Sequence, residues 1–349
     1  MARWNKPKSA RSSLFLGVLR VAAYGYPLTL LALCLGFTLV GERHWLSAGL
    51  LYAPRVAFAA PLVVLLPALW LTRHRSLLWT QVVALAVLLV PLMGLVLPWP
   101  GARSGARELS VLSYNIDSAN AGASELLAVV DRLSPDLVLF QEASWDGELD
   151  AGLQARFRYF DHTAQFVTAS RYPIEERTPP PREESPGHLQ RSMRYLIDSS
   201  LGKLAVYSLH PVSPRGTVRR AQLRDLLRGE GPDATEKGSP ESELTRNAAQ
   251  RERQIAEATA RASREAHPVL LAGDTNLPGA SRALRVYLGP YRDGFERASW
   301  GFGYTFPARR PFLRLDRILA DGSLDFSEFR VGCPDASDHC WVWARLFRR

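Results

Sequence analysis

Three long stretches without a charged residue crowd the first hundred positions, and they decide the solvent in which that part folds. Val21–Gly41 is 21 residues without charge, Val56–Thr72 is 17, and Leu77–Trp99 is 23. About 20 apolar residues cross the hydrocarbon core of a bilayer. The second run extends back toward Leu46 if Arg55 is tolerated, so the sequence predicts a membrane region over residues 1–100 with three spans at about 21–41, 52–72 and 77–99. Pro27, Pro61, Pro67 and Pro91 fall inside these runs, and bilayer helices tolerate proline better than soluble ones. Trp45, Trp70, Trp79 and Trp99 fall near their ends, where interfacial aromatics concentrate. The alternative, a cleaved signal peptide followed by core helices, fits less well: three apolar runs follow one another and no small-residue cleavage signal separates them.

Flanking charge sets the orientation. Arg3, Lys6, Lys8 and Arg11 precede the first run, and Arg73 and Arg75 lie between the second and third. Arg43, Arg103 and Arg107 lie on the opposite side. Basic residues stay in the cytoplasm, and Arg20 and Arg55 at span edges can snorkel without altering the count. The expectation is a multi-pass protein of the cell (inner) membrane with residues 101–349 outside the cytoplasm. A formal charge of +9 invites a nucleic-acid reading. Yet nine of the 43 Lys and Arg, and only one of the 34 acids, sit in the first hundred residues, so the remainder is nearly neutral. Three cysteines exclude a disulfide-built scaffold and a multi-cysteine zinc site.

A linker, 101–108, within the Pro-, Gly-, Ala- and Ser-rich stretch Pro98–Glu108, leads into a soluble part, 109–349. Leu109–Tyr114 alternates like a strand and Ser124–Leu133 has helical spacing. Short apolar strands are predicted at Leu137–Phe140, Leu204–Leu209, Val269–Ala272, Leu315–Leu319 and Trp341–Leu346. Helices are predicted at Arg219–Leu227 and Arg251–Ala266. There is no strict βαβ repeat, which points to an α/β domain of packed sheets rather than a doubly wound one. Gly229–Asn247 is polar and reads as a mobile surface loop.

The soluble strands share a feature: they finish or begin on polar side chains. "VLSYNID" ends in Asn115 and Asp117, "LVLFQEA" in Gln141 and Glu142, "AVYSLHP" in His210, and "LLAGDTN" in Asp274 and Asn276. "LRLDRIL" opens on Asp316, and "SDHCWVW" places Asp338 and His339 just before the last strand. Each alone has an ordinary reading as a cap or turn. Together they supply acids, amides and two histidines at strand ends, where a rigid base presents functional groups, and no nucleophilic Ser or Cys motif accompanies them.

In order and spacing these segments resemble the endonuclease/exonuclease/phosphatase superfamily of metal-dependent phosphoesterases, which includes pancreatic deoxyribonuclease, apurinic endonucleases, neutral sphingomyelinases and inositol-phosphate phosphatases. "SRYPI" (170–174) resembles a further segment of that group. The likeness covers the whole soluble part and none of the membrane part. It implies a four-layer α-β-β-α sandwich, two sheets packed face to face with helices outside.

Phosphodiester hydrolysis by water needs a hard cation, a base for the water, donors to the developing charge and an acid for the leaving oxygen. Mg²⁺ (or Mn²⁺) takes one or two carboxylates plus waters and substrate phosphate. Glu142 is the first-choice ligand and matches the family's metal glutamate; Asp117 and Asp338 are second choices. Asn115 either completes that shell or holds the phosphate. Asp274 is expected to orient and deprotonate water, with Asn276 donating to the phosphate. His339 is expected on the scissile phosphate with Asp316 fixing its ring, and His210 to protonate the leaving group, as the matching histidine does in deoxyribonuclease-like members.

The expected partners are a lipid bilayer and a phosphodiester substrate, with a nuclease-like hydrolase as the leading reading. A phospholipid or sphingomyelin phosphodiesterase, a phosphate-ester phosphatase and a non-catalytic binding module are the alternatives. Arg191, Arg194, Arg215, Arg219 and Arg220 offer a basic groove for nucleic acid, and "WGFGYTFP" (300–307) offers either an apolar rim near lipid or plain core packing. Cys333 and Cys340 flank the "SDH" loop and can pair in an oxidising compartment; the spacing leaves that open.

Overall fold

The central strands of the soluble part are apolar on both faces because both faces are covered. The computed structural model describes residues 10–97, 107–180, 191–214 and 240–349. Two six-stranded mixed sheets carry the domain. The first runs, in spatial order, β11 (Leu324–Gly332), β12 (Trp341–Arg348), β1 (Glu108–Asn115), β2 (Leu137–Gln141), β4 (Phe166–Ser170) and β3 (Tyr159–Thr163). The second runs β5 (Ile174–Thr178), β6 (Ser192–Ser199), β7 (Gly202–Leu209), β8 (Val269–Asp274), β10 (Asp316–Ala320) and β9 (Arg292–Asp293).

Period-two alternation sends successive residues to opposite faces. Val111, Leu139, Tyr195, Val206, Leu270, Ile318 and Val342 meet in the core between the sheets. Their neighbours face outward. Leu112, Val138 and Trp343 pack on Leu126 and Val130 of helix α5 (Ala123–Leu133) and on Leu149 and Leu153 of α6 (Gly147–Arg156). Ala205, Tyr207 and Leu271 pack on Ile255, Ala258 and Ala262 of α7 (Pro240–Ala262). The result is the expected four layers. Asp146 caps α6 by accepting from the amides of Glu148 and Leu149. Helix α7 begins eleven residues before its predicted start, so residues 240–247 are helical and not loop. Residues 229–239, the linker through 106 and the predicted helix at Arg219–Leu227 lie outside the described residues.

The apolar segment has the opposite organisation, with its large apolar side chains outside. It comprises α1 (Ala10–Leu39), α2 (Trp45–Leu51), α3 (Ala60–Leu71, extended back to Arg55 by a 3-10 turn) and α4 (Leu78–Val87, continued to Leu92). Among the described residues two helices are long and apolar enough to cross a membrane, or three if α2 and α3, bent by 92° at Tyr52–Pro54, count as one. Leu19, Ala23, Leu30, Leu65, Leu69 and Ala84 pack inward, while Val21, Leu28, Val63, Leu71 and Val82 are exposed. An exposed apolar surface of this extent marks an interaction surface, and a membrane is one that helices of this length and composition could cross. The first helix starts earlier than its uncharged run, and the third stops at Leu92, because residues beyond it extend to join the soluble domain. There Val96 and Gly301 exchange backbone hydrogen bonds at 2.8 and 2.9 Å.

Residues 41–54 and 93–97 meet the soluble domain, whereas Arg73–Arg75 lie at the other end, His74 Nε2 being 3.4 Å from Arg20 Nη2. The apolar helices therefore run back and forth between two ends, with the soluble domain at one of them.

Candidate active site

Each sheet has one parallel pair at its centre, β1 with β2 and β7 with β8. Four chains thus reach the same rim together, with Asn115 opposite Gln141 and Leu209 opposite Gly273. Two antiparallel strands start from that rim: β10 with Asp316 opposite Asp274, and β12 just after His339. The convergence of polar residues follows from strand direction alone.

Gly273 makes the closest step possible. Its φ is +141°, and a Cβ there would sit 2.1 Å from the carbonyl oxygen of Leu209, so no other residue lets β8 approach β7 just before Asp274. Glu142 and Asn276 adopt φ of +52° and +50°. This left-handed backbone costs most residues roughly 1–2 kcal/mol and turns each side chain away from its strand direction.

Asn115 is the hub. Fully buried, it donates from Nδ2 to Glu142 Oε1 at 2.9 Å and to Asp274 Oδ2 at 3.2 Å, tying the two sheets together. His210 Nε2 lies 3.1 Å from Glu142 Oε1 and 3.8 Å from Asp274 Oδ2. Its Nδ1 contacts Gln165 Oε1. His339 Nε2 lies 3.6 Å from Asp274 Oδ2, and its Nδ1 lies 2.9 Å from Asp316 Oδ2. Asp274 therefore faces both imidazoles through one oxygen, while its Oδ1 accepts the Asn276 amide at 2.8 Å. Asn276 Nδ2 donates to Pro211 O at 3.1 Å, leaving its second amide hydrogen for another acceptor.

Charge follows this geometry. Burial pushes the Glu142 carboxyl up, but His210, by hydrogen bond and charge, together with Asn115 and His339 outweighs it and holds the group at about 2. Burial pulls His339 down, but the carboxylates of Asp316 and then Asp274 raise it to about 9. Glu142 keeps 31% of its side-chain exposure, against 2% for Asp274 and 1% for Asp316. Of these three carboxylates, Glu142 is the one a cation can reach from solvent.

Among the described residues two groups could hold a metal ion, Glu142–His210–Asp274 and Asp274–Asp316–His339, with ligand atoms within 4.8 Å of one another in each. Carboxylate oxygens beside a carboxamide form a hard donor set that suits a cation such as Mg²⁺. Asp117 and Asp338 belong to neither group. Both line an adjoining cleft of about 390 Å³ with Asn120, Pro307, Arg309 and Asp335.

Several supporting residues lie in segments the sequence singled out, without a role assigned to them there. Thr305 Oγ1 accepts the Asp316 amide at 3.1 Å, Ser337 Oγ donates to Asn115 O at 2.7 Å, and Phe306 lies 4.7 Å from the His339 ring. The stretch 300–307 is thus both rim and packing. Trp300 is exposed, Phe302 stacks on Tyr304, and Tyr304 donates to Met93 O at the end of the apolar helices. The expected basic groove loses Arg194, which is held by Glu265 at 2.6 and 2.9 Å and by Glu176 at 2.6 Å. Arg215, Arg219 and Arg220 lie outside the described residues. Cys333 and Cys340 are joined in a disulfide that closes the loop bearing Asp338 and His339.

Residues 112–339 match the sequence model of the Endonuclease/Exonuclease/phosphatase family. No curated protein matches the chain. Among solved structures, an endonuclease/exonuclease/phosphatase family protein from Bacteroides thetaiotaomicron shares 15% identity, covers 70% of this chain and 97% of its own, with a TM-score of 0.50. A mannosyl-6-phosphatase from the same organism also shares 15% identity over 68% of this chain and 99% of its own, with a TM-score of 0.50. A 3′-phosphatase from Neisseria bound to a product DNA hairpin shares 14% identity over 68% and 98%, with a TM-score of 0.49. At these identities the likeness is one of fold.

Proposed function

We propose that this chain, which belongs to the endonuclease/exonuclease/phosphatase family of phosphoester hydrolases, is a membrane-anchored, divalent-metal-dependent enzyme that hydrolyses a phosphodiester by attack of water. The observation that carries the reading is the arrangement around Asp274: one carboxylate, tied to Glu142 through Asn115, with an imidazole on either side.

Glu142 would hold Mg²⁺ or Mn²⁺; Asp117 and Asp338, expected from the sequence as further ligands, line the adjoining cleft and belong to neither ligand group. When bound, the ion supplies polarisation of a phosphoryl oxygen and stabilisation of the leaving oxygen. Asp274 orients and deprotonates the water. His339, kept protonated by Asp316, donates to the phosphate, and Asn276 adds its second amide hydrogen. His210, oriented by Gln165, hands a proton to the leaving oxygen. Asn115 fixes the two carboxylates, since both hydrogens of its amide go to them.

The substrate reading is a nuclease-like phosphodiester hydrolase. One observation supports a second reading, a phospholipid phosphodiester: the turn at Asn276 and the stretch 300–307 both touch the ends of the apolar helices, which would set the site beside a bilayer that those helices cross. The disulfide supports an extracytoplasmic site. The full chain assayed on bis-p-nitrophenyl phosphate, DNA, RNA, sphingomyelin and the monoester p-nitrophenyl phosphate, with and without EDTA, tests both. Turnover that persists in EDTA would sink the metal-dependent reading, and turnover of phosphomonoesters alone would sink the phosphodiester reading.

A further inference from the structure

Arg55 sits at the junction of the apolar helices and the soluble domain. It is 3% exposed. Its Nη1 donates to Leu92 O at 2.6 Å and its Nη2 to Leu51 O at 3.3 Å. Nε has no hydrogen-bond partner, and no carboxylate pairs with this guanidinium among the described residues. A buried cation without a counter-ion is costly, because no opposite charge offsets its lost hydration.

Arg55 borders a cavity of about 370 Å³ between the end of α4 and the aromatic stretch, with Met93, Val96, Phe302, Tyr304 and Arg314 among its walls. Arg314 brings a second guanidinium whose Nη1 is buried and unpartnered. Glu296, the acid on this wall, is already held by Arg314 Nη2 at 2.6 Å. The cavity therefore has two guanidinium groups in a wall that is part apolar and part polar, Arg314 being paired with Glu296 at 2.6 Å and Asp293 at 3.3 Å and Arg55 with no carboxylate among the described residues.

We propose that this cavity binds the phosphate group of a phospholipid headgroup. Arg55 supplies a charge that no carboxylate among the described residues offsets, and Arg314 brings a second guanidinium to the same wall. The location argues for lipid over free phosphate. The cavity lies where α4 ends, at headgroup depth for a spanning helix, and the exposed apolar residues Val82, Leu85 and Val90 lead along α4 toward it. Basic pockets at the ends of membrane helices hold lipid headgroups by this combination of charge and apolar wall. The proposal rests on the membrane placement of the helices and not on the hydrolytic reaction.

The test uses the full chain in neutral detergent, titrated with phosphatidylglycerol, diacylglycerol or inorganic phosphate, with bound lipid counted by native mass spectrometry. The wild type is expected to retain one phosphatidylglycerol and no diacylglycerol. Arg55→Gln is expected to weaken that retention by about thirtyfold or more, the lower end for truncating one partner of a buried charge pair. Leu95→Trp, which keeps Arg55 and fills the cavity, is expected to do the same and decides the matter if Arg55→Gln does not fold. Equal retention by the wild type and either folded variant would overturn the site. Inorganic phosphate bound as tightly as phosphatidylglycerol would overturn the lipid as its source. Release of the chain from membranes by carbonate would overturn the membrane placement itself, whereas membrane-retained protein that holds no phosphatidylglycerol would overturn the site alone.

Discussion

The hydroxyl of Tyr52, at the bend between α2 and α3, donates to the backbone carbonyl of Asn276 at 2.7 Å. Arg251, 2% exposed on α7, donates to that same hydroxyl at 2.7 Å and to Val212 O at 3.1 Å. Asn276 reaches Pro211 O. The loop after His210, the turn after Asp274 and the apolar segment are thus fixed to one another by one tyrosine and one arginine. Tyr52→Phe in the full chain is expected to lower kcat about three- to tenfold, the worth of one net hydrogen bond expressed at the transition state. KM and the unfolding temperature should change little. Wild-type kcat in Tyr52→Phe would remove Tyr52 from the set of positioning residues.

Glu142 and Asp274 share Asn115 but should fail differently. Asp274→Asn keeps the shape and loses the base, so kcat is expected to fall by about 10²–10⁴, with Mg²⁺ still bound. Glu142→Gln is expected to raise the Mg²⁺ concentration needed for half-maximal activity, and saturating Mn²⁺ should restore part of the rate. Isothermal titration of metal beside steady-state kinetics separates the two. Wild-type turnover in Asp274→Asn would sink its assignment as the base.

The acids, amides and histidines of the site were legible because each interrupts an apolar run at its end, and buried strands rarely do that without reason. Their supports were not. Gln165 and Thr305 touch His210 and Asp316 through tertiary contacts that leave no periodic trace. Strand β6 escaped notice because Arg194 interrupts it, and Glu265 from beyond α7 neutralises that charge only in the fold. The first turns of α7 read as loop because their apolar stripe is little more than Leu244 and Ala248. Hydropathy found the second apolar run but could not see its 92° bend, and that bend brings Tyr52 to Asn276.

Arg73 and Arg75 lie at the end of the apolar helices remote from the soluble domain, beside Arg20. If positive charge stays inside, the C-terminus lies outside the cytoplasm. Alkaline phosphatase fused after Arg349 is then expected to be active and green fluorescent protein dark. A bright fluorescent fusion with inactive phosphatase would reverse the orientation.

Asp325 offers a pH test away from the site. Its side chain is 1% exposed, with Arg297 at 2.9 and 3.0 Å and Arg292 at 3.6 Å. Burial pushes its carboxyl up, but Arg297, the Phe326 amide and Arg292 together hold it below its ordinary value. A folded value below the unfolded one means the stabilisation is complete above the unfolded carboxyl's range, about pH 4, and drains as pH falls through the folded value. Asp325→Asn is expected to cost about 1–3 kcal/mol at pH 7, with a smaller gap from wild type at pH 3. Thermal unfolding at the two pH values measures it, and an equal gap at both would contradict the account.

The disulfide between Cys333 and Cys340 closes a short loop whose contacts converge on the site. Ser337 Oγ donates to Asn115 O, the Ala308 amide to Asp338 O, and the Cys340 amide to Thr305 O, each at 2.7 Å. The bridge thus borders a segment already held at three points, so its main effect should be on the unfolded chain. Closing a loop of about eight residues is worth roughly 2–3 kcal/mol by chain entropy. Replacing both cysteines with serine should lower stability by about that amount, while kcat falls less than twofold on the same reasoning. Thiol counting checks the premise. The chain has three cysteines, so the unfolded, unreduced protein should expose one reactive thiol, Cys34, and three only after reduction. Three thiols without reductant would show that the bridge does not form, and a large loss of kcat in the double variant would show that the loop needs it to hold His339.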